Sequence, residues 1–212
     1  MINFKKINIG LFLSIMTVFS AAMLTVLAPT GVVLAEGFFN VVLAVQFADN
    51  AQELAYFNSD AVKSLKWSTY LDMLFPFLYS GLFGILFKKL KSVNIYFTGS
   101  LLCILVIGMD LIENARILDA LNAINAGSLN DSMVASIRQY ASIKWSLIAL
   151  IAVLAGVGFY FIEKKKTALV FWLHGLISVI ALVSLNHYII ELMAVSCFII
   201  LILTMLEVST KR

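Results

Sequence analysis

Long runs of apolar residues dominate the chain, and its charged residues gather at the ends of these runs. A run of about 20 apolar residues is long enough to cross the hydrocarbon core of a bilayer as a helix. The pattern predicts an all-α membrane protein with six transmembrane helices in one domain, residues 1–212. The predicted spans are residues 7–28, 67–87, 93–111, 143–162, 168–185 and 188–206.

The first run resembles a signal peptide in one respect, because Val33-Leu34-Ala35 matches a cleavage site. The uncharged stretch, however, extends from Ile7 to Ala35. That is far longer than the 7–15 apolar residues of a signal peptide. We therefore interpret the run as an uncleaved first transmembrane helix.

The segment 37–57 has a different pattern. Its first part is apolar but too short to span a membrane, and polar residues then recur on one side at helical spacing. The pattern predicts an amphipathic helix at the outer interface or a re-entrant element. These polar residues are Gln46, Asp49, Asn50 and Glu53.

The third and fourth predicted helices continue beyond the membrane. The helical pattern of the third runs to Ala126 and stops at Gly127, and Asn130-Asp131-Ser132 is typical of a new helix start. The two helices should form an antiparallel hairpin. At 1.5 Å per residue it would project roughly 15–20 Å from the bilayer.

Composition supports a membrane location. The chain is 62% hydrophobic and 13% charged, whereas soluble domains carry about 25% charged residues. In the predicted topology, 10 of the 15 basic residues lie on the side of both termini. The positive-inside rule then places both termini in the cytoplasm of a cell inner (plasma) membrane. The net charge of +3 follows the helix ends and does not indicate a nucleic-acid partner.

Three acidic residues lie at one predicted depth. Asp72, Asp110 and Glu191 are each 16 residues, or about 24 Å, from a polar residue at the inner end of their own helix. A charge inside a span costs about 2.5–3.5 kcal/mol on insertion scales. We therefore expect the three carboxyls to point inward and share partners. The kink expected at Pro76 would free the backbone carbonyl of Asp72.

Further polar residues surround this layer, and each has a structural explanation beside a functional one. Glu113–Arg116 and Arg116–Asp119 are spaced for ordinary ion pairs, and His187–Glu191 for an interfacial hydrogen bond. Asp72 could lie near the headgroups, and Asp110 could be a neutral carboxyl bonded to another helix. The functional interpretation assigns the catalytic acid–base role to Asp72 and Asp110. It assigns substrate binding to Glu113, Asn114, Arg116, His187 and Glu191.

No hydrolase, nucleotide-binding or heme-attachment motif is present in the sequence. Crowded carboxyls in a low dielectric suit proton exchange or general acid–base chemistry. The four carboxyls with His187 would also suit a divalent cation, although their spacing forms no tight metal motif. No other cofactor is indicated.

Asp72-x-x-x-Pro76, following the polar stretch of residues 46–53, and Asp110-x-x-Glu113-Asn114 carry a resemblance. Over roughly residues 1–120, the chain resembles a group of small bacterial multi-pass membrane proteins of unknown function. The resemblance implies that Asp72, Asp110, Glu113 and Asn114 belong to one site. It implies no activity.

Three functions fit these patterns. The first is an outward-facing acidic pocket that binds or processes a lipid or small amphiphile, with or without catalysis. The second is a proton-coupled carrier, which should show a polar path to the cytoplasm, where His174 alone was evident. The third is a non-catalytic accessory subunit that docks through the hairpin to an unidentified protein partner.

Overall fold

The computed structural model describes residues 8–27, 29, 32, 34, 36–90 and 92–210. Every element in this part of the chain is an α-helix, and the described residues are 85% helical. In chain order the helices are α1 (Ile9–Leu27), α2 (Val41–Gln46), α3 (Ala51–Ala55), α4 (Ser59–Asp72), α5 (Phe75–Lys89), α6 (Val93–Ala126), α7 (Asp131–Phe161), α8 (Lys165–Ser184) and α9 (His187–Ser209).

Five helical segments of the described chain are long and apolar enough to cross a membrane. They are α4 with α5, taken together, and each of α6 to α9. The all-α prediction is confirmed, and these five segments are compatible with a multi-pass membrane protein. Helix α1 is apolar as well, but its apolar stretch Ile9–Leu24 is shorter than a full span. Residues 1–7, 28 and 211–212, on which the first span and both termini partly depend, lie outside the described residues.

The second predicted span is divided in two. Helix α4 ends at Asp72, and α5 begins at Phe75 with Pro76 in its first turn. Proline has no backbone N–H, so it is tolerated in a first turn and interrupts a helix that would otherwise continue. The expected kink at Pro76 is therefore confirmed. The break leaves Asp72 at a helix end, directed into the bundle.

The predicted hairpin is formed by α6 and α7. Helix α6 ends at Ala126, and Gly127 takes a left-handed conformation with φ of 64°, which glycine adopts without steric strain. The side chain of Asn130 then accepts a hydrogen bond from the backbone of Met133 and caps α7. The two helices pack along each other in antiparallel orientation.

The described part of the chain forms two hydrophobic cores. The larger joins α5 to α9 along the length of the bundle. The smaller lies at the hairpin end, where α2, α3 and the start of α4 pack on α6 and α7. We call this second unit the cap; its fully buried side chains include Leu54, Val62, Leu121 and Ile137.

The segment 37–57 belongs to the cap, and its structure corrects the expectation of one amphipathic helix. Two asparagines, Asn40 and Asn50, cap two separate short helices, α2 and α3. Gln46 is buried, whereas Asp49 is exposed and forms an ion pair with Arg138 of α7. The polar residues therefore do not form one solvent-facing stripe. The position of this segment relative to a membrane stays a prediction.

At the end of the bundle opposite the cap, α1 and α9 are in direct contact. Asn8 donates a hydrogen bond to the carbonyl oxygen of Ser209, and the hydroxyls of Ser14 and Ser209 lie 3.3 Å apart. Lys89 donates to the carbonyl oxygens of Glu207 and Val208, which holds α5 against the same helix end. These contacts hold the two helices together at this end.

Candidate functional site

A buried charge cluster lies where α6 passes α7. The ammonium of Lys144 is 2.5 Å from Oε2 of Glu113 and 3.3 Å from Oδ1 of Asp110. All three side chains are almost fully buried. Oε1 of Glu113 has no hydrogen-bond partner among the described residues. A buried ion pair is stabilising only when its geometry offsets desolvation, so the close contacts to Lys144 are essential here.

Three further residues extend the cluster across the bundle. The hydroxyl of Tyr79 donates to Oδ2 of Asp110 at 2.8 Å. The amide of Asn114 donates to Oδ2 of Asp72 at 3.1 Å. Tyr79 reaches Asp110 from the first turns of α5, and Asp72 reaches Asn114 from the end of α4. The helix break at Pro76 thus presents two consecutive helices to the same charged face of α6.

A cavity of about 660 Å³ adjoins this cluster, and most of its lining side chains are apolar. Helices α1, α4, α5, α6, α7 and α9 form its walls, and α2 covers it from the cap. Its charged lining residues are Asp72, Asp110, Lys144 and Glu191. The volume lies in the usual range of small-molecule sites, about 300–1,000 Å³.

The cavity is open at its side. Phe39 and Phe198 both line it, yet they are 80% and 53% exposed. Phe198 lies on α9 and Phe39 lies just before α2. Among the described residues, the open side of the cavity is therefore where α9 meets the segment that leads into α2. The molecule has a mainly apolar chamber with an opening there and charged groups within it.

The start of α9 holds the segment that leads into α2. Oε1 of Glu191 accepts hydrogen bonds from the backbone N–H groups of Phe39 and Asn40, at 2.8 and 2.7 Å. The ring of His187 stacks on Phe38 and bonds through Nδ1 to the carbonyl of Glu36. We call these contacts the latch. His187 and Glu191 thus bond to the 36–40 segment; a hydrogen bond between the two was the structural alternative.

The predicted site residues divide into two groups. Asp72, Asp110, Asn114 and Glu191 all line one cavity, as the depth argument expected of the three acids. Glu113 does not line the cavity but contacts Lys144 beside it. Arg116 is exposed and pairs with Asp119 at 3.7 Å, away from the cavity. The interpretation of Glu113 as the partner of Arg116 is wrong, because Glu113 points inward to Lys144.

Sequence reasoning missed Lys144, which it counted as a topological charge on the outer side. The sequence nevertheless contains a signal that places Lys144 beside the carboxylates. Glu113 lies 14 residues before Gly127, and Lys144 lies 14 residues after Asn130. In an antiparallel hairpin, residues at equal distances from the turn come side by side, because both helices rise about 1.5 Å per residue. Counting from the turn would have paired the lysine with the carboxylates.

The cluster also bears on the expected divalent cation. No group of three or more His, Cys, Asp or Glu in the described chain is arranged to hold a metal ion. The ammonium of Lys144 occupies the position between Asp110 and Glu113 where a shared cation would lie. His187, the imidazole of the expected set, bonds to the latch segment. Binding of a divalent cation stays a prediction.

Comparison with known proteins identifies no relative. Neither the protein-family models, nor the curated proteins, nor the solved structures contain a match to this chain. Function is therefore inferred from the geometry of the site.

Proposed function

We propose that this is a six-span inner-membrane protein whose cavity binds a lipid or another amphiphile. In this topology α1 is the first span and brings the five long apolar segments to six. It packs against α4, α5 and α9, and its side chains Phe12, Ile15 and Phe19 face outward. The excess of basic residues at the predicted inner ends supports cytoplasmic termini. The cap and the latch would then lie on the outer side.

The observation that carries the binding proposal is the combination within one chamber. Its walls are mainly apolar, charged groups lie inside it, and exposed lining residues, Phe39 and Phe198, lie at its open side. An apolar tail gains free energy from lining side chains such as Ile148 and Leu201, whereas a polar head needs partners such as Asp72 and Asp110. An amphiphile meets both requirements, and the open side beside α9 would allow access from the bilayer.

The proposed roles follow from position. Asp72 and Asp110 line the chamber, where they would contact the polar head of the ligand. In a catalysed reaction they would exchange a proton with that head. Asn114 orients Asp72, and Lys144 with Glu113 supports Asp110 from behind. Glu191 lies at the latch. The proposal assigns binding and leaves catalysis open.

The carrier hypothesis receives less support. A carrier needs polar groups that continue from the chamber to the other side of the membrane. His174, Ser178 and Ser196 are buried between α8 and α9, but they bond to one another and do not line the cavity. An accessory subunit would need no chamber, so evidence of chamber occupancy separates it from the proposal.

Photolabelling tests the binding proposal. The probe is a phosphatidylcholine with a diazirine in its acyl chain, incorporated into lipid nanodiscs with the purified protein. We expect labels on Ile148 and Leu201, which line the cavity although each is only 7% exposed. Labels on surface residues alone, with Ile148 and Leu201 unmodified, would contradict the proposal.

Two variants of α9 provide the matched control. Ala194→Phe should fill the cavity and abolish labelling of Ile148 and Leu201, because Ala194 lines it. Val195→Phe adds the same ring to the exposed face of the same helix. Labelling should persist in that variant. Equal loss in both variants would show that the labels do not report on the cavity.

A further inference from the structure

The charges around the chamber are unbalanced. Of its described lining residues, Asp72, Asp110 and Glu191 are acidic and Lys144 is basic. When all four are ionised, the lining carries a formal charge of −2. The charge of Lys144 is already shared between Asp110 and Glu113, and Glu113 adds a further carboxylate just behind the wall. With these groups ionised, the negative charge of the chamber exceeds what Lys144, the basic residue among its described lining, neutralises.

Aromatic rings stand beside these carboxylates. Phe75, Tyr79 and Trp145 all line the chamber, and the rings of Phe75 and Tyr79 pack edge to face at 5.4 Å. Trp145 already has a cation near it, with Nζ of Lys144 5.7 Å from the ring centroid. Carboxylates together with aromatic faces are the surroundings that favour an ammonium group, through charge and cation–π attraction.

An anionic head would meet the opposite conditions. A phosphate or sulfate would approach Asp72 and Asp110 at close range, where like charges repel strongly in a low dielectric. The ammonium of Lys144 could attract it only by leaving Asp110 and Glu113, and a buried charge pair is costly to break. A neutral head would leave the excess negative charge in place.

Building on the proposed function, we infer that the ligand is a cationic amphiphile, an alkyl chain with an amine or quaternary ammonium head. The head lies between Asp72 and Asp110, with aromatic rings beside it, and the chain extends along the apolar lining residues of α1 and α9. Neutralisation of the excess charge is the source of selectivity, because the apolar walls accept any alkyl chain equally.

The test compares three probes with the same brominated octyl tail and different heads: trimethylammonium, hydroxyl and sulfate. The chain contains three tryptophans, at positions 67, 145 and 172. Trp67→Phe with Trp172→Phe leaves Trp145 as the reporter of the chamber, since it lines the cavity and is 9% exposed. Each probe is titrated into this protein in nanodiscs of digalactosyldiacylglycerol, whose head has no ammonium group to compete with the probe, and quenching of Trp145 fluorescence by bromine is measured.

A second protein corrects for the different partitioning of the probes into the bilayer. Trp145→Phe with Trp172→Phe leaves Trp67, which is 62% exposed and reports the concentration of probe in the membrane. After this correction, the cationic probe should quench Trp145 saturably, with a half-quenching concentration at least about tenfold below that of the sulfate probe. Asp72→Asn should reduce this preference by about threefold or more, whereas Asp119→Asn, at an exposed site, should not.

The outcomes separate the two proposals. Saturable quenching of Trp145 with no preference for the cationic probe, or with a preference for the neutral or sulfate probe, would overturn the head-group inference and leave amphiphile binding intact. Absence of saturable quenching by all three probes would overturn both. The probe comparison uses the protein without charge substitutions, so it remains decisive even if Asp72→Asn fails to fold.

Discussion

Lys144 shows how one residue determines whether this charged interior is stable. Its ammonium is the shared partner of Asp110 and Glu113, and Tyr79 supplies a hydrogen bond from the other side. Removing one member of a buried ion pair leaves an uncompensated charge and costs about 3–5 kcal/mol. The cluster is therefore both a candidate binding surface and a condition for folding.

We predict that Lys144→Met lowers stability by about 3–5 kcal/mol, because two buried carboxylates lose their counter-ion. Adding Glu113→Gln should restore part of this loss, since it removes one of the unpaired charges. Thermal unfolding in a single mild detergent measures both effects. Lys63→Met, which removes an exposed lysine of α4, is the control. A Lys144→Met variant as stable as that control would refute the ion-pair account.

At the scale of elements, the latch joins two parts of the chain that are far apart in sequence. Glu191, in the first turns of α9, accepts from two successive backbone N–H groups just before α2. The segment 36–40 has no regular helix of its own before α2 begins, so its position depends on these bonds. Because Glu191 also lines the cavity, the latch is placed where a ligand could alter it.

We predict that Glu191→Ala releases this segment. The amides of Phe39 and Asn40 should exchange with deuterium at least about tenfold faster, because hydrogen bonds to charged groups contribute about 1.5–3 kcal/mol. Hydrogen–deuterium exchange in nanodiscs measures the change. Leu192→Ala truncates the next, exposed residue of α9 and should leave exchange as in the parent. Unchanged exchange in Glu191→Ala would mean that other contacts hold the segment.

Signals within one helix could be predicted from sequence, whereas contacts between helices could not. The end of α6 at Ala126, the start of α7 after Asn130 and the break near Pro76 each depend on a local backbone requirement. Within the segment 37–57, periodicity could not reveal that Asn40 and Asn50 cap two separate helices where one amphipathic helix was one of the two expectations. The role of Lys144 was missed because its charge was explained by topology and its register across the hairpin was not counted.

At the scale of the whole molecule, residues of both hydrophobic cores line the chamber. The smaller core joins α2, α3 and the start of α4 to the hairpin, and the larger core runs along α5 to α9. Helix α1 is joined to α9 at the end farthest from the cap, through Asn8, Ser14 and Ser209. Nearer the cap both helices line the cavity. Large exposed apolar side chains on α6, α8 and α9 fit a surface that faces lipid.

The central claim is that a lipid-like chain enters this chamber, and brominated lipid tests it most directly. The protein with Trp145 as its single tryptophan is reconstituted in nanodiscs of phosphatidylcholine brominated in the acyl chain. We predict strong quenching of Trp145 relative to unbrominated nanodiscs, lost in Ala194→Phe and retained in Val195→Phe, because the first substitution fills the cavity. Trp145 fluorescence that is equal in brominated and ordinary lipid would contradict the account, as would quenching that persists in Ala194→Phe.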